Sequence, residues 1–158
     1  MTELRYLIVD DSPTVRLTIR QALNQEKVPA ENVQEASSAS EAVAQFDRVH
    51  PEVVFLDVTL TEGRASAPGD EVLDLLNRPR PSPKSGNDVA RYMRSRDPGV
   101  TIVVCTGNAA DDPKVRELIK GGAFQLLQKP VHLAQIREVL HQVAEERGGP
   151  SAGPTAPA

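Results

Sequence analysis

Short apolar runs recur along the chain and alternate with stretches in which apolar residues return every three or four positions. The Val-Val-Phe-Leu run at 53–56 and the run at 100–105 are continuous, which is typical of strands buried on both faces. The run at 33–36 is weaker. This pattern predicts five strands, at residues 4–9, 33–36, 53–56, 100–105 and 124–127.

Helical periodicity follows several of these runs. Ser12-Pro13 predicts a helix over 13–25, because serine caps a helix and proline suits its first position. Ser38 and Glu41 have the spacing of a capping box, and Gly121-Gly122 ends a helix that begins after Asp112. The residues with helical spacing are Val15, Leu17, Ile19, Ala22 and Leu23 in the first helix, Ala42, Val43 and Phe46 in the second, Val115, Leu118 and Ile119 in the next, and Leu133, Ile136, Val139, Leu140 and Val143 in the last.

Alternating strands and helices predict an α/β fold with a five-stranded parallel sheet, doubly wound with helices on both faces. Residues 1–147 are expected to form this one domain. An irregular, proline-rich insertion at 61–85 interrupts it and contains a candidate helix at 70–77. Residues 148–158 consist of small residues and proline and are expected to be a linker or a frayed end.

The composition restricts the function classes. The net charge is -4 and only 3% of the residues are aromatic, so direct nucleic-acid binding is not expected. The single cysteine, Cys105, excludes a disulfide framework and is expected to be a buried apolar residue. No apolar run has membrane-spanning length. A cytoplasmic protein without membrane contact is therefore expected.

Polar residues follow four of the predicted strands. Asp10 and Asp11 follow the first, Asp57 the third, Thr106 the fourth and Lys129 the fifth. Ligands of open parallel sheets bind beyond the carboxyl ends of the strands, so these side chains are expected to converge. Three carboxylates together favour a cation, and oxygen ligands without histidine or cysteine select Mg²⁺. A carboxylate, Mg²⁺, a lysine and a hydroxyl are the parts of a phosphoryl-transfer site.

The motifs LIVDDSPTVR, VVFLDV, VVCTGNA and QKP, in this order at successive strand ends, resemble the receiver domain of two-component response regulators. The resemblance extends over about residues 4–147, apart from the insertion. It implies a flavodoxin-like receiver fold. It also implies a phosphorylation-controlled switch that is not an enzyme in the usual sense, although it catalyses its own phosphorylation and dephosphorylation.

The resemblance also implies roles for individual residues. Asp57 accepts a phosphoryl group from the phosphohistidine of a sensor histidine kinase or phosphotransfer protein, and a downstream effector protein reads the result. Asp11, Asp57 and the backbone carbonyl of Thr59 bind Mg²⁺, which Asp10 contacts largely through water. Thr106 and Lys129 bind the phosphoryl group, and the Lys129-Pro130 peptide bond is cis.

Three features depart from the family pattern. Leu126 stands where an aromatic residue or histidine usually provides the switch. Phe124 cannot replace it, because strand alternation is expected to place Phe124 on the same face and one step too far from the site. The loop after Asp57 is about 20 residues longer than usual, and Gly86 is identified as the displaced family glycine. Thr59 and Asn108 occupy the positions that border the phosphoryl group.

Two alternative functions are weighed against the receiver. A phosphatase of the haloacid-dehalogenase type also uses an aspartyl nucleophile, Mg²⁺ and a lysine, but it needs a second aspartate where this chain has Thr59. A receiver-like interaction module that ignores phosphorylation has only Leu126 in its favour. The insertion begins at the rim of the site, where it is expected either to act as a lid or to be a surface expansion without effect.

Overall fold

The computed structural model describes residues 4–60, 85–107 and 112–152, the last six of these by their backbone alone. Strands and helices alternate along them, with a short 3₁₀ turn at Ala30–Asn32. The strands are β1 (Tyr6–Val9), β2 (Val33–Ala36), β3 (Val53–Asp57), β4 (Thr101–Thr106) and β5 (Gln125–Gln128). The helices are α1 (Pro13–Gln25), α2 (Ala39–Val49), α3 (Gly86–Arg96), α4 (Pro113–Lys120) and α5 (Leu133–Ala152).

The strands form one parallel five-stranded sheet in the order β2-β1-β3-β4-β5. The predicted doubly wound, flavodoxin-like fold is therefore confirmed. The register pairs Val9 with Leu56, Asp57 with Cys105, and Thr106 with Gln128. Because β1, β3, β4 and β5 are consecutive in the sheet, their carboxyl ends lie side by side.

Two hydrophobic cores cover the two faces of the sheet. Successive residues of β1 point to opposite faces of the sheet and therefore belong to different cores. Leu7 and Val9 pack with α2, α3 and α4, whereas Tyr6 and Ile8 pack with α1 and α5. The central strand β3 is buried along its whole length, which explains its continuous apolar sequence. A sheet buried on both faces is a rigid support for side chains at its edge.

The helix starts follow the capping signals. Ser12 accepts a hydrogen bond from the Val15 N–H, with Pro13 in the first turn. Ser38 caps α2 by accepting from the Glu41 N–H, but the Glu41 carboxylate accepts from the N–H and hydroxyl of Ser37. In a capping box the Glu41 carboxylate would accept from the N–H of Ser38, the cap residue. Here it accepts from the residue before the cap instead, so only the first of the two predicted hydrogen bonds is formed. This contact ties down the residue before the cap.

Helix α3 was not among the elements that periodicity predicts. Its signals are present, because Ser85 caps it by accepting from the Asp88 N–H and Val89, Ala90 and Met93 are buried. The predicted insertion boundary at 85 therefore shifts by one residue, since Ser85 belongs to the start of α3. The rest of the insertion, with its candidate helix at 70–77 and its expected role as a lid, lies outside the described residues.

Several predicted core positions need correction. Leu17 and Ile119 are 55% and 45% exposed, and Val43 is only half-buried. Helical spacing predicts which residues share one face of a helix, but how much of that face is buried depends on the neighbouring helices.

The last helix continues to Ala152, so the chain remains helical over the first five residues of the predicted tail. Gly148, Gly149 and Pro150 are unfavourable in a helix interior, which is why the sequence predicts that the helix ends before them.

The expected position of Phe124 is wrong. Phe124 packs against the core on the α1 and α5 side, whereas Leu126 packs against the opposite core. The physical reason is that β5 begins at Gln125, so Phe124 lies in the bend before the strand and the two-residue alternation does not extend to it. Phe124 is therefore separated from Leu126 by the sheet itself.

Candidate functional site

The carboxyl ends of four adjacent strands carry the residues that the sequence singles out. Asp10 and Asp11 follow β1, Asp57 ends β3, Thr106 ends β4 and Lys129 follows β5. Asp10, Asp57 and Thr106 are at most 1% exposed, whereas Asp11 is exposed. The site therefore has a buried floor and an accessible rim.

The three aspartates form an acidic cluster. One carboxylate oxygen from each of Asp10, Asp11 and Asp57 lies within 4.8 Å of the others. The ammonium group of Lys129 lies 3.0 Å from Asp10 Oδ2 and 3.4 Å from Asp57 Oδ2, so it bridges the two buried carboxylates. The structure thus brings together four of the residues predicted from the strand ends.

The electrostatics of the cluster depend on burial. Burial raises the pKa of Asp10, and the charge of Asp57 acts in the same direction. These effects outweigh the Ser12 N–H and Lys129, which favour the ionised carboxylate. Burial by itself lowers the pKa of Lys129, but its hydrogen bond to Asp10 and the charges of Asp57 and Asp10 outweigh burial and raise it. Lys129 is therefore a firmly charged ammonium group in a partly buried site.

Asp57 is held by the residues that follow it. Its Oδ1 accepts hydrogen bonds from the Thr59 N–H and hydroxyl, both at 3.0 Å. The Thr59 hydroxyl also lies 3.2 Å from Oδ2. The start of α3 packs against the same backbone, because a Cβ on Gly86 would lie 2.4 Å from the Asp57 carbonyl oxygen. This close approach requires glycine and confirms that Gly86 lies beside the site despite the insertion.

Thr106 and Lys129 are linked through the backbone. The Lys129 N–H donates to the Thr106 carbonyl over 2.7 Å, which extends the contact between β4 and β5 beyond the strands. The Lys129-Pro130 peptide bond is cis, as the resemblance implies. Asn108 lies outside the described residues.

The acidic cluster fits a hard divalent cation such as Mg²⁺. Its donors are all carboxylate oxygens, which are the ligands that this ion prefers. The raised pKa of Asp10 indicates that Lys129 alone does not fully compensate the buried negative charge. A cation among the three carboxylates would supply the missing positive charge.

Cys105 is next to the site in sequence and has a structural role, as predicted. It is 1% exposed and packs in the core with α1 and α5. Burial raises the pKa of its thiol to about 12, so a reactive thiolate is not available at neutral pH.

One contact to the site comes from a residue that the sequence pattern did not single out. The guanidinium group of Arg16, one turn into α1, donates to the main-chain carbonyl of Asp10 over 2.6 Å. The sequence contains one signal for this contact, because Arg16 lies four residues after the cap residue Ser12, in the first turns of the helix that follows the acidic pair. The charged end of an arginine on an amphipathic helix is ordinarily in solvent. Only the tertiary structure shows that the guanidinium group of Arg16 contacts the Asp10 carbonyl.

Comparisons with known proteins identify the family of the chain. Residues 6–85 match the family model of the response regulator receiver domain. The chain belongs to this family, whose members are signalling switches of two-component systems.

The relatives of the chain include chemotaxis proteins and transcriptional regulatory proteins. The chain is 26% identical over 141 residues to the chemotaxis protein CheY of Thermotoga maritima, an alignment that covers 89% of this chain and 98% of that protein. It is 32% identical over 112 residues to the transcriptional regulatory protein TrcR of Mycobacterium tuberculosis, covering 69% of this chain and 38% of TrcR.

Solved structures show the same fold. A CheY-like receiver domain protein from Methanospirillum hungatei JF-1 superposes with a TM-score of 0.72 at 20% identity, covering 94% of this chain and 98% of that one. The receiver domain of AraT from Geobacillus stearothermophilus gives 0.72 at 22% identity, covering 95% and 99%. Within residues 4–60, 85–107 and 112–152, no helix combines the length and apolar character needed to cross a membrane.

Proposed function

We propose that this chain is a phosphorylation-controlled response regulator in which Asp57 is the phosphoacceptor. The observation that supports this most directly is Lys129, whose ammonium group lies within 3.4 Å of both buried carboxylates at the sheet edge. A lysine in this position can pair with a phosphoryl group once Asp57 has received it. The donor is a phosphohistidine of a sensor histidine kinase or a phosphotransfer protein.

In the transfer step a carboxylate oxygen of Asp57 attacks phosphorus, the bond from phosphorus to the histidine nitrogen breaks, and an acyl phosphate forms. Asp11, Asp57 and the Thr59 carbonyl would hold Mg²⁺ directly, and Asp10 would contribute largely through water. When bound, this ion neutralises the charge that spreads over the phosphoryl oxygens. Lys129 pairs with one of those oxygens, and the Thr106 hydroxyl donates a hydrogen bond to another. Water later hydrolyses the acyl phosphate and returns Asp57 to its free carboxylate.

Thr59 separates this proposal from a haloacid-dehalogenase-type phosphatase. That chemistry needs a carboxylate two residues after the nucleophile to act as general acid and base. Here Thr59 instead donates two hydrogen bonds to Asp57 and holds it in place. The proposed output is changed binding to a downstream effector protein.

The test is incubation of the full chain with Mg²⁺ and a small acyl phosphate, followed by intact-mass analysis. We expect one added phosphoryl group, which disappears in Asp57→Asn and in the presence of a chelator. Asp47→Asn is the matched control, because Asp47 is an exposed carboxylate on α2 that contacts Tyr92 and lies outside the acidic cluster. A normal adduct yield in Asp57→Asn would remove Asp57 from its role.

Mg²⁺ binding is tested separately by calorimetric titration. Asp11→Ala is expected to weaken binding strongly, because it removes one of the few direct oxygen ligands. Equal affinity in the wild-type protein and Asp11→Ala would refute the ligand assignment. If the wild-type protein folds but takes up no phosphoryl group from any donor, it is the phosphorylation-independent interaction module.

A further inference from the structure

Arg16 connects the acidic pair to the neighbouring strand. Its Nη1 donates to the Asp10 carbonyl at 2.6 Å, and its Nε donates to Glu35 Oε1 at 2.9 Å. The side chain is only 19% exposed, so α1 holds the guanidinium group against the sheet. Both contacts use the planar fork of the guanidinium group, which a lysine cannot reproduce.

The remaining polar groups of Asp10 are fixed by other partners. Its N–H donates to the Ala36 carbonyl at 3.0 Å, and Oδ1 accepts from the Ser12 N–H at 2.8 Å. Oδ2 faces Lys129. The carbonyl that Arg16 contacts belongs to the peptide group joining Asp10 to Asp11. Arg16 therefore acts on the peptide plane that sets the direction of the Asp11 side chain.

Glu35 holds the guanidinium group from the other side. It lies in β2 and also accepts from Arg20 Nε at 2.5 Å. Burial acts to raise the pKa of Glu35, but the hydrogen bonds and charges of the two arginines outweigh burial and lower it. Arg20 contacts the Val33 carbonyl and not Asp10. The two arginines thus share one carboxylate, and only Arg16 reaches the acidic pair.

We infer that Arg16 is a positioning residue for the metal site, which it serves by orienting the Asp10–Asp11 peptide so that the exposed Asp11 faces Asp57. This inference rests on the proposed function. Asp11 is the rim member of the cluster and is exposed, whereas Asp10 and Asp57 are buried. Partners that orient metal ligands typically affect affinity about 10- to 100-fold, which is large enough to measure.

The experiment compares Arg16→Met, Arg16→Lys and Arg20→Met in the full chain by calorimetric Mg²⁺ titration. Arg20→Met is the matched control, because it removes an arginine from Glu35 but leaves the Asp10 carbonyl contact. We expect about tenfold weaker Mg²⁺ binding in Arg16→Met and less than about twofold change in Arg20→Met. Arg16→Lys should also bind weakly, since it retains the charge but loses the fork.

Phosphorylation rates provide a second readout. In Arg16→Met the Mg²⁺ concentration for half-maximal phosphorylation should rise about tenfold, while the rate at saturating Mg²⁺ stays near that of the wild-type protein. A general loss of structure would instead also lower the rate at saturating Mg²⁺. If Arg16→Met does not fold, Glu35→Gln replaces it in the experiment. This substitution keeps the shape of the side chain but removes the negative charge that binds the Arg16 guanidinium group. We expect weaker Mg²⁺ binding from this variant as well.

The positioning role would be overturned if Arg16→Met bound Mg²⁺ with the same affinity as Arg20→Met. It would also be overturned if Arg16→Met bound Mg²⁺ more tightly, because that result would mean that only the charge of Arg16 matters. Either outcome leaves the proposed function intact, since the wild-type protein would still bind Mg²⁺ and accept a phosphoryl group. Absence of both in the folded wild-type protein is the distinct pattern that refutes the proposed function and this inference with it.

Discussion

Gly86 offers a sharp test of how the chain after the insertion is docked beside the phosphoacceptor. A Cβ at this position would lie 2.4 Å from the Asp57 carbonyl oxygen and 3.0 Å from that of Val58. Both neighbours are backbone atoms, which cannot move as a flexible side chain can. To restore a carbon–oxygen separation of about 3.3 Å, the start of α3 must move by roughly 0.9 Å.

Gly86→Ala is therefore expected to destabilise the protein. Overpacking of this kind costs about 1–3 kcal/mol, whereas the better helix propensity of alanine offsets at most about 1 kcal/mol. Because Gly86 is the first residue of α3, where alanine gains less than in a helix interior, the net loss is about 1–3 kcal/mol, which for a chain of this length lowers the melting temperature by about 2–12 °C. Because the shift acts on the Asp57 backbone, phosphorylation by a small acyl phosphate should also slow by at least about tenfold.

Thermal unfolding followed by circular dichroism and intact-mass time courses measure the two effects. Gly107→Ala is the matched control, since Gly107 also follows a strand at this edge but a Cβ there meets nothing within 4 Å. We expect its stability to change by less than about 0.5 kcal/mol. If Gly86→Ala melts and phosphorylates like the wild-type protein, the close approach of α3 to Asp57 is not a constraint and the reasoning fails.

Three further predictions follow from the same structure. Burial raises the pKa of Asp10, so the folded protein binds a proton at this carboxylate more tightly than the unfolded chain does. The free energy of unfolding therefore decreases as the pH rises from the ordinary carboxyl pKa to the raised pKa of the folded state. Asp10→Asn should therefore raise the melting temperature at pH 7 in chelator while weakening Mg²⁺ binding, and a lower melting temperature would contradict this. Cys105 should resist alkylation at pH 8 until denaturant is added, because burial raises its pKa to about 12; rapid labelling of the folded protein would show that the thiol is accessible. Phosphorylation should change amide exchange across residues 112–145 less in the wild-type protein than in Leu126→Tyr, because leucine has no aromatic ring to move between two packed positions; equal changes would show that Leu126 does not limit the response.

Local signals in the sequence were sufficient for the elements that carry strong caps or continuous apolar runs. Ser12-Pro13 and Asp112-Pro113 begin α1 and α4 at the predicted residues, and the run at 53–56 is the buried central strand. Such signals depend on a few neighbouring residues, so they survive without knowledge of the rest of the fold. Periodicity does not predict α3, because the start of this helix lies directly after a long irregular stretch.

The acidic cluster was also predictable, because parallel strands end at the same edge and the polar residue after each run is visible in the sequence. What sequence spacing cannot give is the geometry across strands. The bridge from Lys129 to Asp10 and Asp57 joins residues more than 70 positions apart, and it depends on the strand order and register of the sheet.

The sequence by itself determined the fold class and the residues at the strand ends, whereas the need for glycine at position 86 follows from the packing of α3 against the Asp57 backbone. Only the tertiary structure decided that Phe124 lies across the sheet from Leu126, that Ile119 faces solvent, and that Arg16 reaches back to the Asp10 carbonyl. The physical reason is the range of the forces. Propensity and periodicity act over one or two turns, whereas side-chain direction and burial depend on which elements pack together, and that is settled only when the whole core forms.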